Sequence, residues 1–180
     1  MIPSPEECLL LMSEYGMLDN IRAHSRVVAR IADFIGRGLI ADGVGLNLKL
    51  IVSAALLHDI GKTACLNNGR DHSRLGAEIC RRHNFQELAP LVRQHVILQG
   101  TLPPEVDERL IVYYADKRVN HDQIVGLPAR LAYIIERYGQ NNPRRCQAIN
   151  DNFKQAFIIE EMIFRHLPIK PEELSTMDLT

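Results

Sequence analysis

No stretch of the 180-residue sequence approaches the roughly 18 to 20 consecutive apolar residues that a membrane-spanning helix requires. The first residues, MIPSPEECLLLMSEYG, carry acids early and no basic start, so no signal peptide is expected. Charge of one sign is also missing. Twenty-one Lys and Arg stand against 22 Asp and Glu, a formal net charge of −1. Nothing global draws such a chain onto an anionic membrane, and no cluster of bases forms the groove that a long nucleic acid needs. The four cysteines, Cys8, Cys65, Cys80 and Cys146, include no CxxC pair. They read as free thiols of a reducing compartment rather than a disulfide framework. Internal repeats, low-complexity tracts and alternating strand patterns are absent, with LIVYY (110–114) the one ambiguous run. A soluble, cytoplasmic domain is the expectation. Tryptophan is absent as well, whereas histidine occurs seven times.

What is present is helical periodicity over almost the whole chain. Ser4-Pro5-Glu6-Glu7 has the proline and early acids of a helix start. A second helix is expected over about Asp19 to Leu39, with the stripe Ile21, Val28, Ile31 and Ile35, fraying into Gly36 and Gly38. A third, about Asn47 to Asp59, is apolar on nearly every side and so central and buried, with Gly61 placed to end it. Further helices are expected over about Asp71–Arg82, Gln86–Leu98, Glu105–Val119, Pro128–Tyr138 and Arg144–His166. The apolar run FIIEEMIF of the last one should pack on the chain's own core. The fold class is all-α, a single domain over 1–180. Its core spans about 20–139, a C-terminal helix about 144–166, and a polar, loosely held tail 168–180.

Ionisable residues fall on the inward stripes. His24 lies between Ile21 and Val28, and His72 three residues before Leu75. His95 follows Leu91 by four, and Asp116 follows Val112 by four. His58 and Asp59 end the most hydrophobic helix, in LLHDIGK. Singly, each has an ordinary reading: a satisfied core histidine, a helix-end pair, or an Asp116 paired with Lys117 or Arg118. Jointly, six unrelated buried polar groups are improbable, because a buried ion without a partner costs several kcal/mol. Divalent metals supply the common partner. Four histidines and two aspartates exceed a closed tetrahedral site and suit two metals with one carboxylate between them. His83, His121 and His166 read as structural or surface residues.

The ordered set His24, His58-Asp59, His72, His95 and Asp116, within HDIGK, DHSRLGAE, RQHVIL and YYADKRVN, resembles the HD-domain metal-dependent phosphohydrolases of the HDIG type. The resemblance covers roughly 20–139 and implies a helical bundle around a buried metal site. It implies that His24, His58, Asp59 and Asp116 hold one metal. His72 and His95 would hold a second, with Asp59 bridging. Lys62 would face the substrate phosphate or a bridging hydroxide that acts as nucleophile. The implied reaction is hydrolysis of a phosphoester or phosphoanhydride, with Asp59 and Lys62 as catalytic groups and a small phosphorylated substrate, a nucleotide. Arg70, Lys117 and Arg118 are candidate phosphate contacts. Iron, manganese, cobalt, nickel and zinc all accept this ligand mixture. The competing expectations are a di-iron oxygenase on the same fold and a non-catalytic nucleotide-sensing module. No glycine-tyrosine-proline motif of cyclic-di-GMP phosphodiesterases is found.

Overall fold

The computed structural model describes residues 1–177. Among the described residues, eight α-helices carry the fold: α1 Pro5–Glu14, α2 Asp19–Ala41, α3 Leu48–Leu57, α4 His72–Arg82, α5 Leu88–Gln94, α6 Glu108–Lys117, α7 Leu127–Tyr138 and α8 Pro143–Phe164. A two-stranded antiparallel hairpin, β1 Val119–Asn120 and β2 Gln123–Ile124, follows α6. The all-α class is correct, and the hairpin is an addition the periodicity did not show. Two residues per strand are too few to display alternation.

Local chemistry accounts for the helix starts. Ser4 and Glu7 form a reciprocal capping box on α1. Asn47, Asp71, Asp107 and Asn142 cap α3, α4, α6 and α8 through side-chain oxygens. The largely apolar α3 is the centre, in contact with α1, α2, α5 and α6. The ambiguous LIVYY run lies in α6 with all five residues fully buried. A helix enclosed on every side loses the polar face that would have marked its period.

Three glycines have roles other than those expected. Gly36 and Gly38 do not fray α2, which continues to Ala41. A Cβ at Gly36 would lie 2.8 Å from Leu48 Cδ1, and one at Gly38 would overlap Leu167 Cδ2, so both serve close packing. Gly61 is not a left-handed helix end; α3 stops at Leu57. A Cβ there would meet the His72 carbonyl oxygen at 2.6 Å and the Gly76 nitrogen at 2.9 Å. The turn after His58-Asp59 thus presses against the backbone of α4, which brings His72 to Asp59. Gly61→Ala is expected to cost about 1–3 kcal/mol, because backbone rather than a flexible side chain must yield. Chemical denaturation measures it, and an unchanged midpoint would contradict the close approach.

The tail is held more firmly than expected. Pro171–Ser175 forms a 3-10 turn with Leu174 fully buried. Residues 178–180 of the expected tail lie outside the described residues. In α8, Ile159 and Ile163 are fully buried against the core while Ile158 is half exposed, as expected for packing on the chain's own body.

Candidate metal centre

The six candidate ligands converge. His24 comes from α2, and His58 and Asp59 from the turn just past α3. His72 opens α4, His95 follows α5, and Asp116 sits near the end of α6. His24, His58 and Asp59 bring one ligand atom each within 4.8 Å of one another. Asp59, His72 and His95 form a second such group. Asp59 belongs to both, and Asp116 Oδ1 adjoins the first, 3.1 Å from His24 Nε2 and 3.6 Å from His58 Nε2.

Three of the four rings are oriented by backbone. His58 Nδ1 lies 2.7 Å from the Ala55 carbonyl and His95 Nδ1 2.7 Å from the Val92 carbonyl. Each partner is three residues back, a carbonyl freed at a helix end. His24 Nδ1 lies 2.8 Å from the carbonyl of His121, in the hairpin turn. A neutral imidazole that donates through Nδ1 presents a lone pair at Nε2. All three Nε2 atoms then face the carboxylates. His58 Nε2 is 3.4 Å from Asp59 Oδ2, and His95 Nε2 is 3.5 Å from Asp59 Oδ1. His72 Nε2 is 3.3 Å from Asp59 Oδ1 and 3.2 Å from His95 Nε2.

Lone pairs aimed at anionic oxygens need positive charge between them. His58 Nε2 and Asp59 Oδ1 are buried atoms without a hydrogen-bond partner, which is costly unless a cation takes them. The electrostatics draw positive charge to the same spot, whether a proton on His58 or a metal. Burial opposes a charged His58, yet the neighbouring Asp59 and Asp116 carboxylates raise its pKa. Burial also opposes ionised Asp59, but the charges of His58 and Lys62 hold it well below the usual carboxylate range. Asp116 is likewise held low, by Lys117 and His24, against its burial. Burial drives His95 down to about 4, so at neutral pH its ring is neutral and ready to ligate. The donor set fits divalent transition metals.

A cavity of about 460 Å³ opens onto the cluster. Asp59, His72, His95 and Asp116 form part of its wall, and Lys62, Arg70 and Lys117 add cations. Lys62 Nζ donates to Asp59 Oδ2 at 2.6 Å. Lys117 is buried, its Nζ donating to the His95 carbonyl at 2.7 Å and to Asp116 Oδ2 at 3.1 Å. Burial depresses its pKa against the pull of Asp116. Arg118, expected to contact phosphate, is a correction. It is fully buried, away from the cavity, and bonds Tyr114, Glu160 and the carbonyls of Val125 and Pro171. Lys117 and Arg118 point apart because successive residues at a helix end differ by about 100°.

The sequence reading missed the opposite wall. Arg130, Ile134 and Tyr138 of α7 face the cavity with Ile149, Asn152 and Phe153 of α8. His121 also counts as missed, because its carbonyl orients His24 although its side chain does not reach the cluster.

Asp71 holds the start of α4, and with it His72. Its carboxylate accepts from the Ser73 and Arg74 amides at 2.9 and 3.1 Å and pairs with Arg93 at 3.1 Å. Burial opposes ionisation, but the Ser73 bond, the Arg74 amide and the Arg93 charge together lower its pKa. A depressed carboxylate stabilises the fold above its unfolded value of about 3.9, and that contribution is lost as pH falls through the folded value. Asp71→Ala is therefore expected to cost about 1 kcal/mol at pH 7. The gap from wild type should narrow below about pH 4. Urea titrations at both pH values measure it; a gap that widens in acid would contradict the sign.

The HD domain sequence model matches residues 21–120, more than half of the chain. This chain belongs to the HD domain family. Among relatives, the tRNA (cytidine(56)-2'-O)-methyltransferase of Picrophilus torridus is 30% identical over 155 residues, which cover 78% of this chain and 42% of that protein. The same-named enzyme of Thermoplasma volcanium is 31% identical over 144 residues, 69% of this chain and 40% of the relative. Ribonuclease Y of Helicobacter pylori is 47% identical over 64 residues, 36% of this chain and 11% of the relative. This HD chain spans about two fifths of the length of the two methyltransferases. No solved structure matches it. Among the described residues, no helix of this HD protein is long and apolar enough to cross a membrane.

Proposed function

We propose that this HD domain is a metal-dependent phosphohydrolase that cleaves a phosphoester or phosphoanhydride of a nucleotide. The observation that carries the reading is Asp59, shared between two groups of ligand atoms and left with a buried, unpartnered Oδ1. His24, His58, Asp59 and Asp116 would hold one divalent metal, and Asp59, His72 and His95 a second. A pair of cations there supplies an activated water and a clamp on phosphoryl oxygens.

This chain's own residues do the rest. Asp59 is kept ionised by its neighbours and so would be available as a ligand to either metal at neutral pH. The carbonyls of Ala55, Val92 and His121 hold three imidazoles in the ligating tautomer. Lys62 is charged, its pKa raised by Asp59 against burial, and lines the cavity beside that carboxylate. Rotated toward the cavity, its ammonium offers compensation to the phosphoryl oxygens as charge builds on them. Arg70 sits at the mouth, where it meets a phosphate entering from solvent. The apolar part of the wall, with Ile97, Ile134, Tyr138 and Ile149, offers a surface for a base.

The relatives named for tRNA and RNA favour a second form of the substrate, in which the nucleotide is the terminus of an RNA chain. Phosphate release from protein loaded with manganese, or anaerobically with ferrous iron, tests both. The panel would hold mononucleotides, dinucleotides, dinucleoside polyphosphates and short RNA. Turnover of one class, abolished by chelation, supports the reading. Silence across the panel with two metals bound per chain, together with oxygen uptake, would replace it by the di-iron oxygenase.

A further inference from the structure

The cavity has a cationic corner that the ligand groups do not use. Arg130 lies in the first turn of α7, half-buried, and lines the same cavity as Lys117 and Asp116. Its Nη1 donates to the neutral amide oxygen of Asn120 at 3.1 Å. The guanidinium lies over the Tyr133 ring, 5.5 Å from its centroid. Its Nε is buried and has no partner. The other buried cations here are compensated: Lys62 by Asp59, Lys117 by Asp116, and Arg118 by Glu160. Among the described residues, no salt bridge includes Arg130. Arg70 also lines the cavity, but it is exposed, so burial does not penalise its charge.

An uncompensated, half-buried guanidinium that lines a cavity is an anion site, reached from the cavity through its terminal nitrogens because Nε is buried. Asn120 and Tyr133 fix its plane beforehand, so little side-chain entropy remains to be lost on binding. The planar fork matches a phosphate through two parallel hydrogen bonds. The metal groups and Lys62 already account for one phosphoryl group, and a cavity of about 460 Å³ has room for more.

We propose that Arg130 binds a second phosphate of the substrate, beside the one presented to the Asp59 groups. This rests on the phosphohydrolase reading above. The second phosphate has two chemical sources: the adjacent phosphoryl group of an anhydride, or the next phosphodiester of an oligonucleotide. In either case Arg130 makes a two-phosphate substrate preferred over a monophosphate.

Isothermal titration of the manganese-loaded full chain tests this with three slowly hydrolysed probes. They are adenosine 5'-thiophosphate, α,β-methylene-ADP, and the dinucleotide pApA with phosphorothioate linkages. Wild type should bind one two-phosphate probe about ten- to a hundredfold more tightly than the monophosphate. Which probe shows the gain identifies the source. Arg130→Gln should bring that probe to the monophosphate level, and Arg130→Lys should keep part of the gain. Manganese content and circular dichroism establish that the variants are folded and loaded. A gain that survives Arg130→Gln, or equal weakening of all three probes, overturns the proposal and leaves the phosphohydrolase reading in place. Failure of loaded wild type to bind any probe overturns both.

Discussion

Asp59→Ala is expected to abolish metal loading at both ligand groups and with it turnover. Both groups include this carboxylate, and no other side chain among the described residues is common to them. Loss of an outer partner of a metal ligand costs about 10- to 100-fold in affinity or activity, so loss of the bridging ligand itself should exceed that. Metal content by mass spectrometry should fall from the proposed two per chain to less than one, while circular dichroism stays helical. Asp59→Asn separates charge from shape: it keeps the volume but supplies a neutral oxygen, and should lose metal nearly as completely. A contrasting pair sharpens the result. His72→Ala should empty only the second group, and His24→Ala only the first. Two metals and full turnover in Asp59→Ala would sink the assignment.

Arg118→Ala should be the most destabilising single substitution outside the cluster, by about 3–5 kcal/mol. Arg118 is fully buried and spends its donors on Tyr114, Glu160 at 3.2 Å, the Val125 carbonyl at 2.7 Å and the Pro171 carbonyl at 2.7 Å. It ties α6 to the hairpin exit, to α8 and to the C-terminal turn. Truncation leaves the Glu160 carboxylate short of its cation and two carbonyls without a donor, which is why the cost exceeds that of a surface pair. Urea denaturation at neutral pH measures it. A double substitution with Glu160→Ala should recover part of the loss, because no charge is then left unpaired. Any fall in activity should track the folded fraction rather than the affinity for phosphate. A stable variant with weakened phosphate binding would return Arg118 to the site.

The contrast between these two residues shows what was legible in the sequence. Asp59 was legible because helical periodicity carries its own geometry: residues on one stripe share a face, and six ionisable groups on such stripes need an explanation. Most helix starts were legible for the same reason, since Ser4, Asn47 and Asp71 act within three residues of themselves, whereas the helix expected from Glu105 starts at Glu108 behind its Asp107 cap. Arg118 was not, because two of its partners, Glu160 and the Pro171 carbonyl, are 42 and 53 residues away. A lysine-arginine pair after a helix looks like solvated charge until the tail and α8 close over it. Gly61 looked like a helix stop because its neighbour across space, the backbone of α4, has no sequence mark. The α7–α8 wall of the cavity was invisible on the same ground. Arg130 and Asn152 belong to helices whose only sequence signal is packing, and their role depends on which cavity they border.

The orientation of His24 has a further consequence, for the order in which the molecule assembles. His58 and His95 each take direction from a carbonyl three residues back, a contact that forms with the helix end itself. His24 takes direction from His121, 97 residues away. Closing a loop of that length is entropically slower than forming local contacts. Asp59, His72 and His95 span far less chain than the His24–Asp116 pair, whose residues lie 92 apart. During refolding, the second group should therefore become competent before the first. A time course of cobalt absorption after dilution from denaturant would display two phases, the later one coincident with closure of the hairpin.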